Sequence, residues 1–406
     1  KNRQYQKNLH GIQDRHLPEK PSVDRRCISL PQKKKSANMT LESKQPEIRT
    51  LAPSEAMNSK RLPINSRPPL IGKLKHAYPL SLLSTSDTYL PWFFSNYIQL
   101  FYPKARGFPY ATVDFFHPPQ YPSLPLLDTQ LFDRSVLEKI GPASLSKFLM
   151  RCLDDELYVR LYVDEFFIPD RSAYKRAYMP HRLLLFGYDR CLSCFDTIGF
   201  LKNGRYAVSQ VHSADLERAF YSTRLMEEIH ERERGERDPA LGNLAEIWLA
   251  RLKPGRQCQF DLQLVIEQLV DYLSSKNTAM RFRMLDTSYY GQEGSGMDVY
   301  GCIRRRLEYS LEHPDFCDFI SLHILWEHKK CMLLRIRYME EHRYLDPGDL
   351  LYEAYRNIES QAQILRMMIL RFQIQRDRRI IERLIRRLDQ CSQMEGAFLR
   401  KLLEKI

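Results

Sequence analysis

Tyr158-Val159-Arg160-Leu161-Tyr162-Val163 is the stretch that sets the fold class. Val159, Leu161 and Val163 alternate with Tyr158, Arg160 and Tyr162, the period of two expected of a strand whose successive side chains face opposite ways. Downstream, Leu183–Tyr188, Phe195–Leu201 and Tyr206–Val211 read as three further strands. Asn203-Gly204 separates the last two, and that dipeptide predicts a tight type I′ hairpin. Together these segments predict a small antiparallel meander.

Upstream of the meander, a helix is expected over Arg134–Asp155, interrupted at Gly141-Pro142. Pro91 suits the first turn of a buried helix that runs into Trp92-Phe93-Phe94. Pro103 to Pro125 carries too many prolines for a regular element and reads as loop. Downstream, helical periodicity is found over Asp215–His230, Asp261–Ser274, Val299–Glu312, Phe316–Glu340, Asp349–Phe372 and Asp377–Lys405. In the last of these, Ile381, Leu384, Leu388, Cys391, Phe398 and Leu402 recur near a 3,4 spacing, with Glu395 the one break. The expectation is an α+β unit over residues 76–220 followed by an all-helical unit over 221–406, packed as a bundle or as hairpins.

Residues 1–75 are rich in Lys, Arg, Pro, Ser, Asn and Gln and lack apolar periodicity. Such a segment buries too little surface to offset its ordering entropy, so it is expected to be a disordered extension. The chain starts at Lys1, and Met57 opens a stretch that runs smoothly into the patterned region, which makes Met57 a candidate native start. The formal charge of +12 is concentrated in this segment: residues 1–76 hold 17 Lys and Arg against 6 Asp and Glu, whereas the remainder holds 45 against 44. An essentially neutral body argues against nucleic-acid binding. No apolar run approaches the roughly 18 residues of a membrane span, and the first twenty residues have no apolar centre that would mark a secretory signal. Nine cysteines without a framework of spacings fit a reduced, cytoplasmic setting. Cys191-x-x-Cys194 has no second pair or nearby histidine to complete a zinc site, and it falls in a hairpin rather than at a helix start. No Gly-rich phosphate loop is present, so no nucleotide cofactor is expected.

The candidate chemistry gathers on the meander. His181 opens one strand and Asp196 lies on the next, and adjacent antiparallel strands can set a carboxylate against an imidazole and fix its tautomer. Asp164-Glu165 is a pair of acids at a strand end, readable as an amine-binding or base site or as a solvated terminus. Glu327-His328-Lys329 lies on a helix of alternating charge and reads as a solvated face. The arginines at 376, 378, 379, 383, 386 and 387 read the same way, with a docking patch for an acidic carrier protein as the sharper alternative.

Val163-Asp164-Glu165-Phe166-Phe167-Ile168-Pro169, Tyr174, the stretch from His181 to Asp189, Phe195-Asp196 and Gly204-Arg205-Tyr206 resemble the butirosin-biosynthesis protein H family. Pro91-Trp92, Ser95 to Leu100 and Glu327-His328-Lys329 are consistent with it. The N-terminal domain of that family is similar to the papain-like bacteriocin-processing cysteine peptidases. The resemblance implies an acyl or aminoacyl transferase of natural-product assembly. Such an enzyme moves its group from a carrier protein's phosphopantetheine thioester to an amine or peptide acceptor and needs no further cofactor. It implies a cysteine nucleophile at the start of the central helix, with His181 as proton shuttle and Asp196 orienting it. Asp164, Glu165 and Tyr174 are then the candidate substrate contacts. The chain departs from this pattern: no cysteine lies between Cys27 and Cys152. Ser81, Ser84 and Ser95 are the hydroxyls at hand, Ser81 and Ser95 being the candidate nucleophiles; serine needs strong activation by a base, and an ordinary helix or cap role competes at each. Direct attack of an amine on the thioester, with no covalent step, is the catalytic alternative. The same cleft could also hold a carrier-tethered intermediate or a peptide without turnover.

Overall fold

A computed structural model describes residues 58–104, 111–116, 124–140, 145–234, 245–278, 280 and 292–406. The elements in chain order are β1 (Ser59–Arg61), α1 (Leu74–Leu83), α2 (Leu90–Asn96), β2 (Leu100–Pro103), β3 (Asp114–Phe115), β4 (Leu127–Asp133), α3 (Ser135–Ile140) and α4 (Leu145–Asp154). There follow β5 (Tyr158–Asp164), β6 (Pro180–Asp189), β7 (Cys194–Phe200), β8 (Tyr206–His212), α5 (Ser213–Arg234), β9 (Glu246–Leu252) and α6 (Leu262–Leu273). The chain ends with β10 (Gln292–Ser295), α7 (Val299–Glu312), α8 (Phe319–Glu341), α9 (Leu351–Gln375) and α10 (Arg378–Leu403). It is a mixed α and β fold with antiparallel sheets and a helical C-terminal region.

The expected meander is present as β5-β6-β7-β8, but it is the centre of a larger, seven-stranded antiparallel sheet in the order β4-β9-β5-β6-β7-β8, with β1 paired to the far end of β6. Strand β9 comes from beyond residue 220, and it joins the sheet between β4 and β5 along registers such as Leu131↔Trp248 and Val159↔Leu249. The division at residue 220 therefore cuts through the sheet, and residues 55–406 form one compact unit. A short second sheet, β10-β2-β3, places β3 inside the 103–125 stretch expected to be loop, where Val113, Phe115 and Phe116 are buried.

Two further expectations change. Residues 58–75 are ordered: β1 pairs Lys60 with Tyr188, and Leu62 and Leu70 are buried. The rest of the basic extension, Met57 included, lies outside the described residues. The β7–β8 turn is not type I′. Gly204 alone has positive φ, at 75°, and its N–H donates to the Leu201 carbonyl at 2.8 Å while Leu201 N–H bonds Arg205 O at 2.9 Å. That is a type I turn closed by a left-handed glycine, the usual three-residue hairpin loop.

Helix α1 is the pivot between sheet and helices, and nine of its ten residues are buried. On one side the Tyr78 hydroxyl donates to the Arg182 carbonyl at 2.7 Å, tying α1 to β6. On the other, the Glu327 carboxylate of α8 accepts the N–H groups of Ile71 (2.6 Å) and Gly72 (3.1 Å) just ahead of α1, occupying donors that a helix start leaves unsatisfied. Arg335 of α8 is fully buried and donates to the Phe94 and Tyr97 carbonyls, both at 2.6 Å, at the end of α2.

Glu327-His328-Lys329 is not a solvated face; all three residues are buried. The Lys329 ammonium has no exposure and reaches both oxygens of Glu395 on α10, at 2.7 and 2.6 Å. It also donates to Tyr272 Oη and His328 Nδ1, each at 3.0 Å. Tyr355 and Tyr300 donate to Glu395 at 2.8 and 2.9 Å. Glu395, which breaks the apolar stripe of α10, is thus the anion of a network joining α6, α7, α8, α9 and α10.

Candidate active site

Side-chain geometry replaces the sequence-derived pair of His181 and Asp196 with a different one. His181 stands at the start of β6 opposite Val163, while Asp196 of β7 faces Gly187. Six residues along a strand separate the two positions, about 20 Å. Asp196 instead accepts from Gln210 Nε2 at 3.0 Å and lies 3.6 Å from Arg61 Nε. Alternation in sequence placed both residues on neighbouring strands; register, which determines who faces whom, separates them.

The acid that meets His181 is Glu165, whose Oε1 lies 2.8 Å from His181 Nδ1. Its position follows from the end of β5. Asp164 caps the single 3₁₀ turn Glu165–Phe167, its Oδ1 accepting the N–H groups of Phe166 and Met179 at 3.0 Å each, and its Oδ2 accepting from Ser222 Oγ at 2.8 Å. The Glu165 N–H in turn donates to the Met179 carbonyl at 2.9 Å. These bonds tie the end of β5 to the segment entering β6, so Glu165 and His181 are brought face to face. Asp164 therefore serves the backbone, and Glu165, expected as a substrate contact, is the orienting acid.

The Glu165 side chain is 9% exposed and that of His181 is 40% exposed. A carboxylate only accepts, so it selects the tautomer in which Nδ1 carries the proton and Nε2 keeps its lone pair. A buried acid behind a solvent-reached imidazole is the arrangement of an oriented general base. Tyr78 supports it from behind through the Arg182 carbonyl, and burial pushes the Tyr78 phenol far above its ordinary value, so it remains a donor. Tyr174 is half-buried nearby in sequence, with the Lys175 ammonium over its ring at 5.1 Å.

The candidate hydroxyls serve internal bonds. Ser81 Oγ, with no exposure, lies 3.0 Å from Tyr206 Oη. Ser95 Oγ donates to the Pro91 carbonyl at 2.7 Å and accepts the Asp261 N–H at 2.9 Å, joining α2 to the start of α6. Ser84 Oγ donates to the Leu80 carbonyl and accepts from Asn65. None of the three is within hydrogen-bonding distance of His181.

Sequence reasoning missed two buried histidine–acid pairs around α1. His76 Nε2 lies 3.0 Å from Asp114 Oδ1 and its Nδ1 lies 3.3 Å from Tyr97 Oη, while Lys75 holds Asp114 Oδ2 at 2.8 Å. Burial lowers the His76 pKa despite Asp114; burial works to raise Asp114, but Lys75 and His76 outweigh it and hold that carboxyl well below its usual range. On α8, His323 Nε2 lies 3.2 Å from Glu327, and Arg366 donates to His323 Nδ1 at 2.8 Å. The i,i+4 spacing of His323 and Glu327 is visible in sequence, whereas nothing local links His76 to Asp114. Both pairs are shut inside the fold, so the half-exposed His181 remains the one of the three placed to meet a substrate. No protein-family model and no curated protein matches the chain.

Proposed function

We propose that the chain transfers an acyl or aminoacyl group from an activated, carrier-tethered thioester to an amine, with His181 as general base and Glu165, rather than Asp196, orienting it. The observation that carries this reading is the 2.8 Å contact between the solvent-reached imidazole and the buried carboxylate. In the proposed step the amine nitrogen attacks the thioester carbonyl and gives its proton to His181 Nε2. The C–S bond then breaks, and the thiolate leaving group takes up a proton as the amide forms. A thioester needs no covalent activation by the protein, so the step is compatible with Ser81 and Ser95 being engaged elsewhere. The papain-like relationship implied by the resemblance belongs to the same proposal.

The test is acyl transfer from acyl-pantetheine thioesters to simple amines, followed by mass spectrometry of product and protein. Product formation that falls with His181→Ala and Glu165→Gln and persists in Asp196→Asn supports the reading; equal turnover in all four proteins refutes it. One observation favours a second reading, an accessory protein that holds a tethered intermediate: both candidate serines are locked into internal hydrogen bonds. Thioester binding that is unchanged by His181→Ala, without turnover, would select it.

A further inference from the structure

The tip of the α9–α10 hairpin combines two features that the acyl-transfer reading leaves unused. On the outer face of α9, Ile364, Met367, Arg371 and Ile374 recur at 3,4,3 spacing, so they form one line about 15 Å long. Their apolar members are exposed, at 39%, 53% and 84%. The opposite face of α9, with Tyr355, Ile358, Leu365, Ile369 and Phe372, is buried, so this line is not core surface. Beside it, residues 371–387 hold seven arginines against two acids, within residues 77–406 that as a whole hold 45 Lys and Arg against 44 Asp and Glu. Arg387 Nη1 lies 3.1 Å from Gln361 Oε1, one turn from Ile364, which places the arginine row of α10 along the flank of the stripe. Within this stretch Arg378 and Arg379 pair with Glu382 and Asp377, and Arg376 reaches Asp315 at 4.0 Å.

We infer that this face docks an acidic amphipathic helix of a partner protein. Apolar side chains at i, i+3 and i+10 on one line are a ridge that a second helix matches with its own, with Arg371 at i+7 offering a charge to it. The guanidiniums along one flank complement carboxylates on that helix and fix its orientation. Double-stranded nucleic acid would leave the apolar line unused. A bilayer would have to take up Arg371 in the middle of the stripe, and the stripe has no aromatic anchor. The inference stands on the hairpin alone and is independent of catalysis at His181.

The experiment uses the full chain and a fluorescent peptide of about 18 residues, with Leu on one helical face and Glu on its flanks, and a scrambled peptide of the same composition. Anisotropy is expected to show binding of the patterned peptide that weakens about ten-fold or more between about 50 and 250 mM salt. Met367→Glu with Ile374→Glu should lower affinity about ten-fold or more, and Arg383→Glu with Arg386→Glu should flatten the salt dependence, with circular dichroism unchanged because all four residues are exposed. No binding, equal binding of the scrambled peptide, or tighter binding to phosphatidylserine vesicles or duplex DNA than to the patterned peptide would overturn the inference.

Discussion

Replacing Lys329 by Met tests whether the buried network holds the helical region together. The substitution keeps most of the volume and removes the cation paired with Glu395, leaving a carboxylate with no exposure and, among the described residues, the phenols of Tyr272, Tyr300 and Tyr355 as its donors. Breaking a buried ion pair from one side costs about 3–5 kcal/mol. The three hydroxyls remain as donors, which argues for the lower part of that range, about 3 kcal/mol. With a guanidinium m-value of about 5 kcal/mol/M, the unfolding midpoint should fall by about 0.6 M. The double variant Lys329→Met/Glu395→Leu removes both charges and should recover most of that loss, because it no longer strands an ion. The assay is guanidinium unfolding followed by far-ultraviolet circular dichroism for the parent, both single variants and the double. A Lys329→Met midpoint within about 0.1 M of the parent, or a double variant less stable than the additive sum of the singles, would refute the reasoning.

Further outcomes are expected. His181→Ala should lower kcat/KM for acyl transfer by about 10²–10⁴-fold, the range of a lost general base, with Glu165→Gln giving a smaller loss and Ser81→Ala and Asp196→Asn retaining activity; steady-state kinetics decide it. His328 is buried with Nε2 donating to the Ile98 carbonyl and Nδ1 accepting from Lys329, which leaves no place for a second proton, and burial holds its pKa well below the ordinary value. The unfolded chain therefore binds the extra proton first, so stability should fall as pH drops below the ordinary imidazole value of about 6.5; unfolding midpoints against pH measure it. Asp114 has the same sign: its folded pKa is depressed, so its contribution is present above about pH 4 and lost as pH falls further. The stability gap between the parent and Asp114→Asn should accordingly shrink in acid. Gly72→Ala would put a Cβ 2.8 Å from Glu327 Oε2 and from Ile324 Cγ1, and should cost about 1–3 kcal/mol in the same unfolding assay.

Local pattern was enough for much of the architecture. Alternation in 158–163 and its successors gave β5, β7 and β8 to within a residue and the later part of β6, and the 3,4 spacing gave α6 to α10, because both periods follow from backbone geometry within a few residues. Strands β4 and β9 went unread, since Leu127–Asp133 and Glu246–Leu252 become strands by pairing with each other across more than a hundred residues. Composition also misled at 58–75, where a few apolar residues, Leu62 and Leu70 among them, are buried against the fold.

The candidate site divides in the same way. His181 and the acid pair Asp164-Glu165 were visible in sequence as residue types at strand ends, but which carboxylate faces the imidazole depends on strand register and on the Asp164 cap. Both join segments separated in the chain. The buried Lys329 and Glu395 make the point most sharply: in sequence Lys329 is one charge on a helix of alternating charge and Glu395 a single break in an apolar stripe, and nothing local pairs the two. Only the packing of five helices removes water from both and makes them partners. Sequence by itself determined the meander strands and the C-terminal helices, because hydrophobic period is local; tertiary structure alone decided the remaining strands and all the partners, because burial and register are properties of the whole chain.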